Sequence, residues 1–293
     1  MNESDNTVEL SVVIAHHTVD DALLMSLEAH LAELAPSDEV VVVVADGNEL
    51  GELRERFGRA ELVSGAPSEL TPQLWKRGID RSRGSIVRVT IGSFVPKSGW
   101  RTALMAAHET ADVVGGPMDM GRELRCSDLA IFFQRYRSFR SPLTARDVAD
   151  VPADHSGYRA SVLEETKEFW CDGFWERDVN AELARRGRRL ALDPKFGATY
   201  VGGESAPKFI AHRFRHGIQF GRQRLASRGA LVRIAYVAAF LIPGAVFSLK
   251  IVRESLAVPK TGPKLFAASG WLSLFVLAWS LGEWVGAVAG PEK

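Results

Sequence analysis

Ser85-Ile-Val-Arg-Val-Thr-Ile-Gly-Ser-Phe-Val-Pro-Lys-Ser-Gly-Trp100 is the stretch that decides the fold. Ile86 to Ile91 alternates and then runs apolar, the pattern of a strand, and Gly92-Ser93 breaks it. Pro96 and Gly99 shape a turn, and Trp100 opens a helical run from Arg101 to Thr110. Strand, loop and helix in this order predict an open α/β sheet, in which ligands gather beyond the carboxyl ends of the strands.

The same theme stands upstream. Leu10 to Ala15 is a short apolar run, followed by His16-His17-Thr18 and a helical pattern from Asp20 to Leu34 that Asp20-Asp21 can cap. Glu39 to Ala45 is a second buried strand, ending in Asp46-Gly47-Asn48, and the spacing predicts a parallel βαβ unit. Read from its own residues, Asp46 is an Asp-Gly turn residue satisfying backbone donors. Arg54 to Ala60 reads as a helix end, Glu61 to Val63 as a strand, and Pro72 to Gly84 as a helix that Gly84 stops. Downstream, Asp112 to Pro117 is a strand with a glycine pair, and Leu129 to Phe139 is an aromatic, basic helix whose default is core packing. Val151 to Ser156 reads as a polar loop. A helix beginning near Phe174 or Trp175 and stopped by Gly187 puts Glu176 in its first turn.

The rhythm Thr-x-x-x-x-Val-Pro-x-x-Gly-Trp over 90–100 resembles the central loop of family 2 glycosyltransferases, and Gly78-Ile79 and Val114-Gly-Gly116 match further family segments. The resemblance implies an α/β GT-A fold: a mixed, mainly parallel sheet flanked by helices, over residues 1–228, followed by a membrane-associated helical tail over 229–293. It implies inverting transfer from a nucleotide sugar to a lipid-linked or glycan acceptor. On its motifs Asp46 takes the nucleotide base and Glu176 is the general base. Arg77, Arg213 and Arg222 face the donor diphosphate, with Gly92 and Ser93 in the donor loop, and Asp154 and His155 lie on the acceptor side. The family uses Mg²⁺ or Mn²⁺ held by an acidic triplet. The matching Ile91, Gly92 and Ser93 carry no carboxylate, and Gly202 stands where a third-contact His is expected, so no residue is assigned to a metal. The alternative is a catalytically inactive GT-A relative that acts as a scaffold in a cell-envelope glycan pathway.

Composition bounds these readings. The 293 residues hold 36 Lys plus Arg against 36 Asp plus Glu, so no global charge argues for nucleic acid. The last eighty residues, rich in Lys and Arg and poor in acids, point toward a negatively charged surface. Cys126 and Cys171 are too few for a disulfide framework. The polar, acidic start over 1–9 is unlike a secretory signal, so the GT-A part is expected on the cytoplasmic side of an inner or plasma membrane. Of the two apolar runs, Ile234 to Leu249 and Leu265 to Gly282, the second is expected to be the anchor and the basic segment 250–264 a loop.

Overall fold

The computed structural model describes residues 8–47, 50–152, 154–225, 232, 236–239 and 241–289. The polar start over 1–7, the expected boundary between 228 and 229, and positions 234, 235 and 240 of the first apolar run lie outside the described residues. By packing, the chain divides into two compact units, residues 1–121 with 139–203, and residues 122–138 with 204–293.

In the first unit β1 (Leu10–His16), β2 (Glu39–Val44), β3 (Ala60–Ser64) and β4 (Ile86–Ile91) are parallel neighbours in the order β3-β2-β1-β4. Helices cover both faces, which is why these strands read as continuous apolar runs. On one face α1 (Asp21–Leu31) and α4 (Trp100–Ala107) set Leu23, Leu27, Trp100 and Leu104 against Val12, Ile14 and Val42. On the other, α3 (Thr71–Ile79) and α7 (Glu176–Arg185) set Leu74, Trp75, Val179 and Leu183 against Val13, Val41 and Val43. The sheet continues through β9 (His155–Arg159), antiparallel between β4 and β6 (Val113–Gly115), to β10 (Leu190–Leu192) and β8 (Arg146–Asp147). A small second sheet joins β5 (Phe94–Pro96), β11 (Ala198–Tyr200) and β7 (Met118–Met120).

Three expectations are corrected. The helix begun at Pro72 ends at Ile79, and Gly84, read as its stop, brings its backbone against β1, where a Cβ would lie 2.5 Å from the Ser11 nitrogen. The polar loop read over 151–156 gives way at His155 to the strand β9. The basic loop read over 250–264 is helical as far as Leu256.

One glycine is fixed by close approach. A Cβ on Gly116 would lie 1.5 Å from the carbonyl oxygen of Phe196. Gly116→Ala is therefore expected to cost roughly 3 kcal/mol of stability, because backbone cannot yield as a side chain does. An unchanged urea midpoint would contradict this packing.

The second unit is helical: α5 (Cys126–Arg135), α8 (Ala206–Leu225), α9 (Leu241–Leu256) and α10 (Gly262–Ala289). α9 carries Pro243 in its first turn, where a missing N–H costs no helical hydrogen bond. α8 and α10 touch backbone to backbone through Gly217 and Gly221 on one and Gly282 and Gly286 on the other. A Cβ on Gly217 would sit 2.3 Å from the Trp279 carbonyl oxygen, and one on Gly286 2.0 Å from that of Ile218. This is the small-xxx-small spacing that lets helices approach closely. α10 is long and apolar enough to cross a membrane.

Candidate functional site

The site is built where β2, β1 and β4 end side by side. The His16 carbonyl accepts from the Ala45 N–H at 3.0 Å, and the Ala15 carbonyl from the Gly92 N–H at 3.2 Å. Beyond these bonds the chain leaves the sheet in three loops that carry His16 to Asp20, Asp46, and Gly92-Ser93.

These loops are packed on one another. Asp20 caps α1 by accepting from the Leu23 N–H at 3.0 Å, and its carboxylate lies 3.1 Å from His16 Nε2. Burial works to raise the Asp20 pKa, but His16 and the Leu23 and Ala22 N–H groups outweigh it and hold it below the ordinary value. The His16 ring in turn fills the space at Gly92, where a Cβ would come within 2.9 Å of it and 3.1 Å of the Leu23 Cα. The Ser93 carbonyl accepts from the Val201 N–H at 2.9 Å, and Gly203, at φ +105°, passes beside Asp20 and Ala22.

The residues present do not fit a divalent cation. Of the three places that an acidic triplet would occupy, only Ser93 offers a side-chain oxygen, and it is 3% exposed. Position 92 has no room for a side chain while His16 stays in place. Asp119 is engaged elsewhere, at 2.5 Å from Lys97 Nζ and 2.8 Å from Ser141 Oγ. Among the described residues no group of three His, Cys, Asp or Glu side chains converges.

Glu176 opens α7 and is half-buried. Its helix begins against α3, since the Phe174 N–H donates to the Pro72 carbonyl at 2.8 Å. α3 is tied to the sheet edge in turn. Trp75 Nε1 donates to the Thr90 carbonyl at 2.8 Å, and Thr71 Oγ1 lies 3.3 Å from His17 Nε2. Around this helix start lie groups that sequence reading missed. The Tyr158 hydroxyl donates to Asn180 Oδ1 at 3.1 Å, and Asn180 Nδ2 donates to Asp150 Oδ1 at 2.7 Å. Burial, with the charges of Glu176 and Asp150, pushes the Tyr158 pKa up. Burial also raises Asp150 and Asp178. The readable signal was the spacing from Glu176 to Asn180, four residues on a helix face.

The other named residues are distributed as follows. Asp46 follows β2 at the edge and is partly exposed. Arg77 holds both oxygens of Glu69 through Nε and a terminal nitrogen, at 2.8 to 3.0 Å. Asp154 is buried beside the end of β4, its carbonyl accepting from Thr90 Oγ1 at 2.9 Å. His155 is wholly buried and stacked on Phe196 at 4.2 Å. Its Nε2–H donates to the Phe196 carbonyl at 2.8 Å, which leaves Nδ1 to accept from Arg88 at 3.1 Å. Arg213 and Arg222 lie on α8 in the second unit. The Arg213 guanidinium sits over Phe209 at 5.0 Å and Trp279 at 5.2 Å, and Arg222 is half-buried.

A parallel core in the order β3-β2-β1-β4, with an antiparallel strand set between β4 and β6, is a GT-A-like fold. Two solved structures share it. The mannosyltransferase PcManGT from Pyrobaculum calidifontis, in complex with GDP-Man and Mn²⁺, is 15% identical with a TM-score of 0.51, over 94% of this chain and 88% of that one. GalNAc-T7 with UDP, GalNAc and Mn²⁺ is 13% identical with a TM-score of 0.52, over 72% of this chain, which spans 48% of GalNAc-T7. No protein-family model and no curated protein matches the sequence.

Proposed function

We propose that the protein transfers a sugar, with inversion, from a nucleotide-sugar donor to a lipid-linked or glycan acceptor at a membrane, its GT-A domain cytoplasmic. The observation that supports this reading is the gathering of the loops after β1, β2 and β4 at the edge where open α/β sheets take ligands, and Glu176, in the first turn of α7, is the proposed base. Asp46 accepts hydrogen bonds from the nucleotide base. Glu176 removes the proton of the acceptor hydroxyl as that oxygen bonds to the anomeric carbon. The bond from that carbon to the diphosphate breaks on the opposite face, and the diphosphate leaves with the electron pair.

Guanidinium groups answer the diphosphate charge in this proposal, with Arg77 as the candidate within the first unit. Arg77 is available at small cost. Its pair with Glu69 is solvent-facing, the kind worth about 0–1 kcal/mol, and a doubly charged diphosphate competes well for it. Asp154 lines the acceptor side. Donor affinity is expected to be the same in EDTA as in Mg²⁺ or Mn²⁺, measured by calorimetry with UDP- and GDP-sugars. Strict metal dependence would defeat this assignment.

A second reading is favoured by one observation, the lack of any carboxylate at 91–93. It makes the chain a catalytically inactive GT-A relative that acts as a scaffold in a cell-envelope glycan pathway. Failure to bind any member of a donor panel would select it.

A further inference from the structure

The second unit buries polar groups beside apolar ones such as Phe132, Phe209 and Phe275. Its buried positions include Asp128, Arg137, Arg213, Ser255, Thr261, Ser280 and Glu283. Its exposed positions include an apolar face on each of two helices. On α9, Ile242, Val246, Leu249 and Leu256 share one face and are 55 to 70% exposed. On α10, Phe266, Leu277, Leu281, Trp284 and Val288 also share a face and are 38 to 83% exposed. Faces of this size and regularity on a water-soluble unit mark a surface meant to be covered.

Charge says what covers them. Lys250, Arg253, Lys260 and Lys264 are all exposed, Arg253 on the α9 face itself between Leu249 and Leu256, and the nearby acid Glu254 is already engaged by Arg137 at 2.8 Å. Apolar side chains fringed by cations fit the headgroup boundary of an anionic bilayer.

The helix pairing decides how the unit meets that bilayer. α8 and α10 run in the same direction. Phe209 packs on Phe275 at 4.7 Å near one end, and Gly221 lies beside Glu283 and Ala287 near the other. α8 carries Lys208, Arg213, Arg215, Arg222 and Arg224 and no acid. Because the contact is backbone to backbone, the later part of α10 cannot enter hydrocarbon unless this polycationic helix goes with it. Cations at that depth are strongly unfavourable. Glu283 lies in the same stretch, held by Arg224 at 3.3 Å and by the Tyr236 hydroxyl.

We infer that α9 and α10 lie in the plane of an anionic membrane surface, with their apolar faces in the headgroup boundary, and that α10 does not span. This rests on the membrane association proposed above and replaces the expected anchor with an in-plane attachment.

The test uses the full chain with a C-terminal epitope. It is expected to float with vesicles of phosphatidylcholine mixed with phosphatidylglycerol and much less with phosphatidylcholine alone. In membranes of the producing cells, alkaline carbonate is expected to release it, and protease that cleaves the first unit is expected to remove the epitope from the same side. The double substitution V246E/L249E changes only exposed positions and is expected to weaken partitioning roughly a hundredfold, with the circular dichroism spectrum unchanged. Resistance to carbonate together with an epitope protected on the far side would overturn the in-plane mode and leave membrane association standing. Failure to float with either vesicle would overturn both.

Discussion

Glu176→Gln is expected to lower sugar transfer by about 10²- to 10⁴-fold while leaving donor affinity within roughly twofold of wild type, the range that general-base removal costs. The substitution keeps the shape of the side chain and removes only the ability to take a proton. The first turn of α7 tolerates it, because the helix start is held by the Phe174 to Pro72 hydrogen bond and by the buried Val179 and Leu183. The split between turnover and binding is the discriminating readout. A structural role for Glu176 would reduce both together, and equal activity of the two proteins would remove it as the base. Asp178 sits two residues along the same helix with a pKa raised by burial, so Asp178→Asn is the matched control. A large loss in that control, with none in Glu176→Gln, would move the role to Asp178.

How much of this was legible in the sequence depends on what each strand faces. β1, β2 and β4 are enclosed by helices on both sides, so their apolar runs announce them. β9 occupies an equally buried place and reads His-Ser-Gly-Tyr-Arg, which looks like a loop. It can be central because each polar residue meets a specific partner. His155 lies between Arg88 and the Phe196 carbonyl, Tyr158 bonds to Asn180, and Gly157 leaves room for Leu104, which a Cβ would approach to 2.6 Å. Such partners are distant in sequence and leave no period. The site divides in the same way. The edge positions of Asp46 and Gly92 follow from strand ends, whereas the reason for glycine at 92 is the His16 ring, which no local pattern contains. The basic face of α8 was readable, but the burial of Arg213 between Phe209 and Trp279 follows from the pairing of α8 with α10.

The buried cluster of Arg88, His30 and His155 in the first unit carries the second large expectation, a steep loss of stability below the ordinary imidazole pKa. Arg88 is wholly buried with its guanidinium over Trp100 at 4.4 Å and Phe196 at 4.9 Å, and burial draws its pKa down to about 9, so it stays charged at neutral pH. His30 and His155 are wholly buried in the same region. Desolvation, reinforced by the Arg88 charge, keeps both neutral and pushes their pKa values well below 6.5. His108, 2% exposed, is lowered to about 4, by burial first, with Arg159 adding to the effect. All three folded values lie below the unfolded one, so the unfolded chain binds more protons as the pH drops under 6.5, and stability falls with it. Each histidine contributes up to about 1.4 kcal/mol per pH unit, and His108 alone accounts for about 3 kcal/mol between 6.5 and 4. Against a total of about 5–15 kcal/mol for a domain, three such groups bring the unfolding transition into the mildly acidic range. Asp20 and Asp119, held below 3.8 by partners that outweigh burial, lose their contribution only at lower pH and do not produce this slope. Asp150 and Asp178, raised by burial, act with the opposite sign and soften its lower end. The measurement is the urea midpoint as a function of pH. His108→Gln is expected to reduce the slope below pH 6.5 by about one proton, or 1.4 kcal/mol per unit. A midpoint that stays level from neutral pH down to 5 would mean that these imidazoles take up protons in the folded protein, which neighbours as close as Arg88 and Trp100 leave no room for.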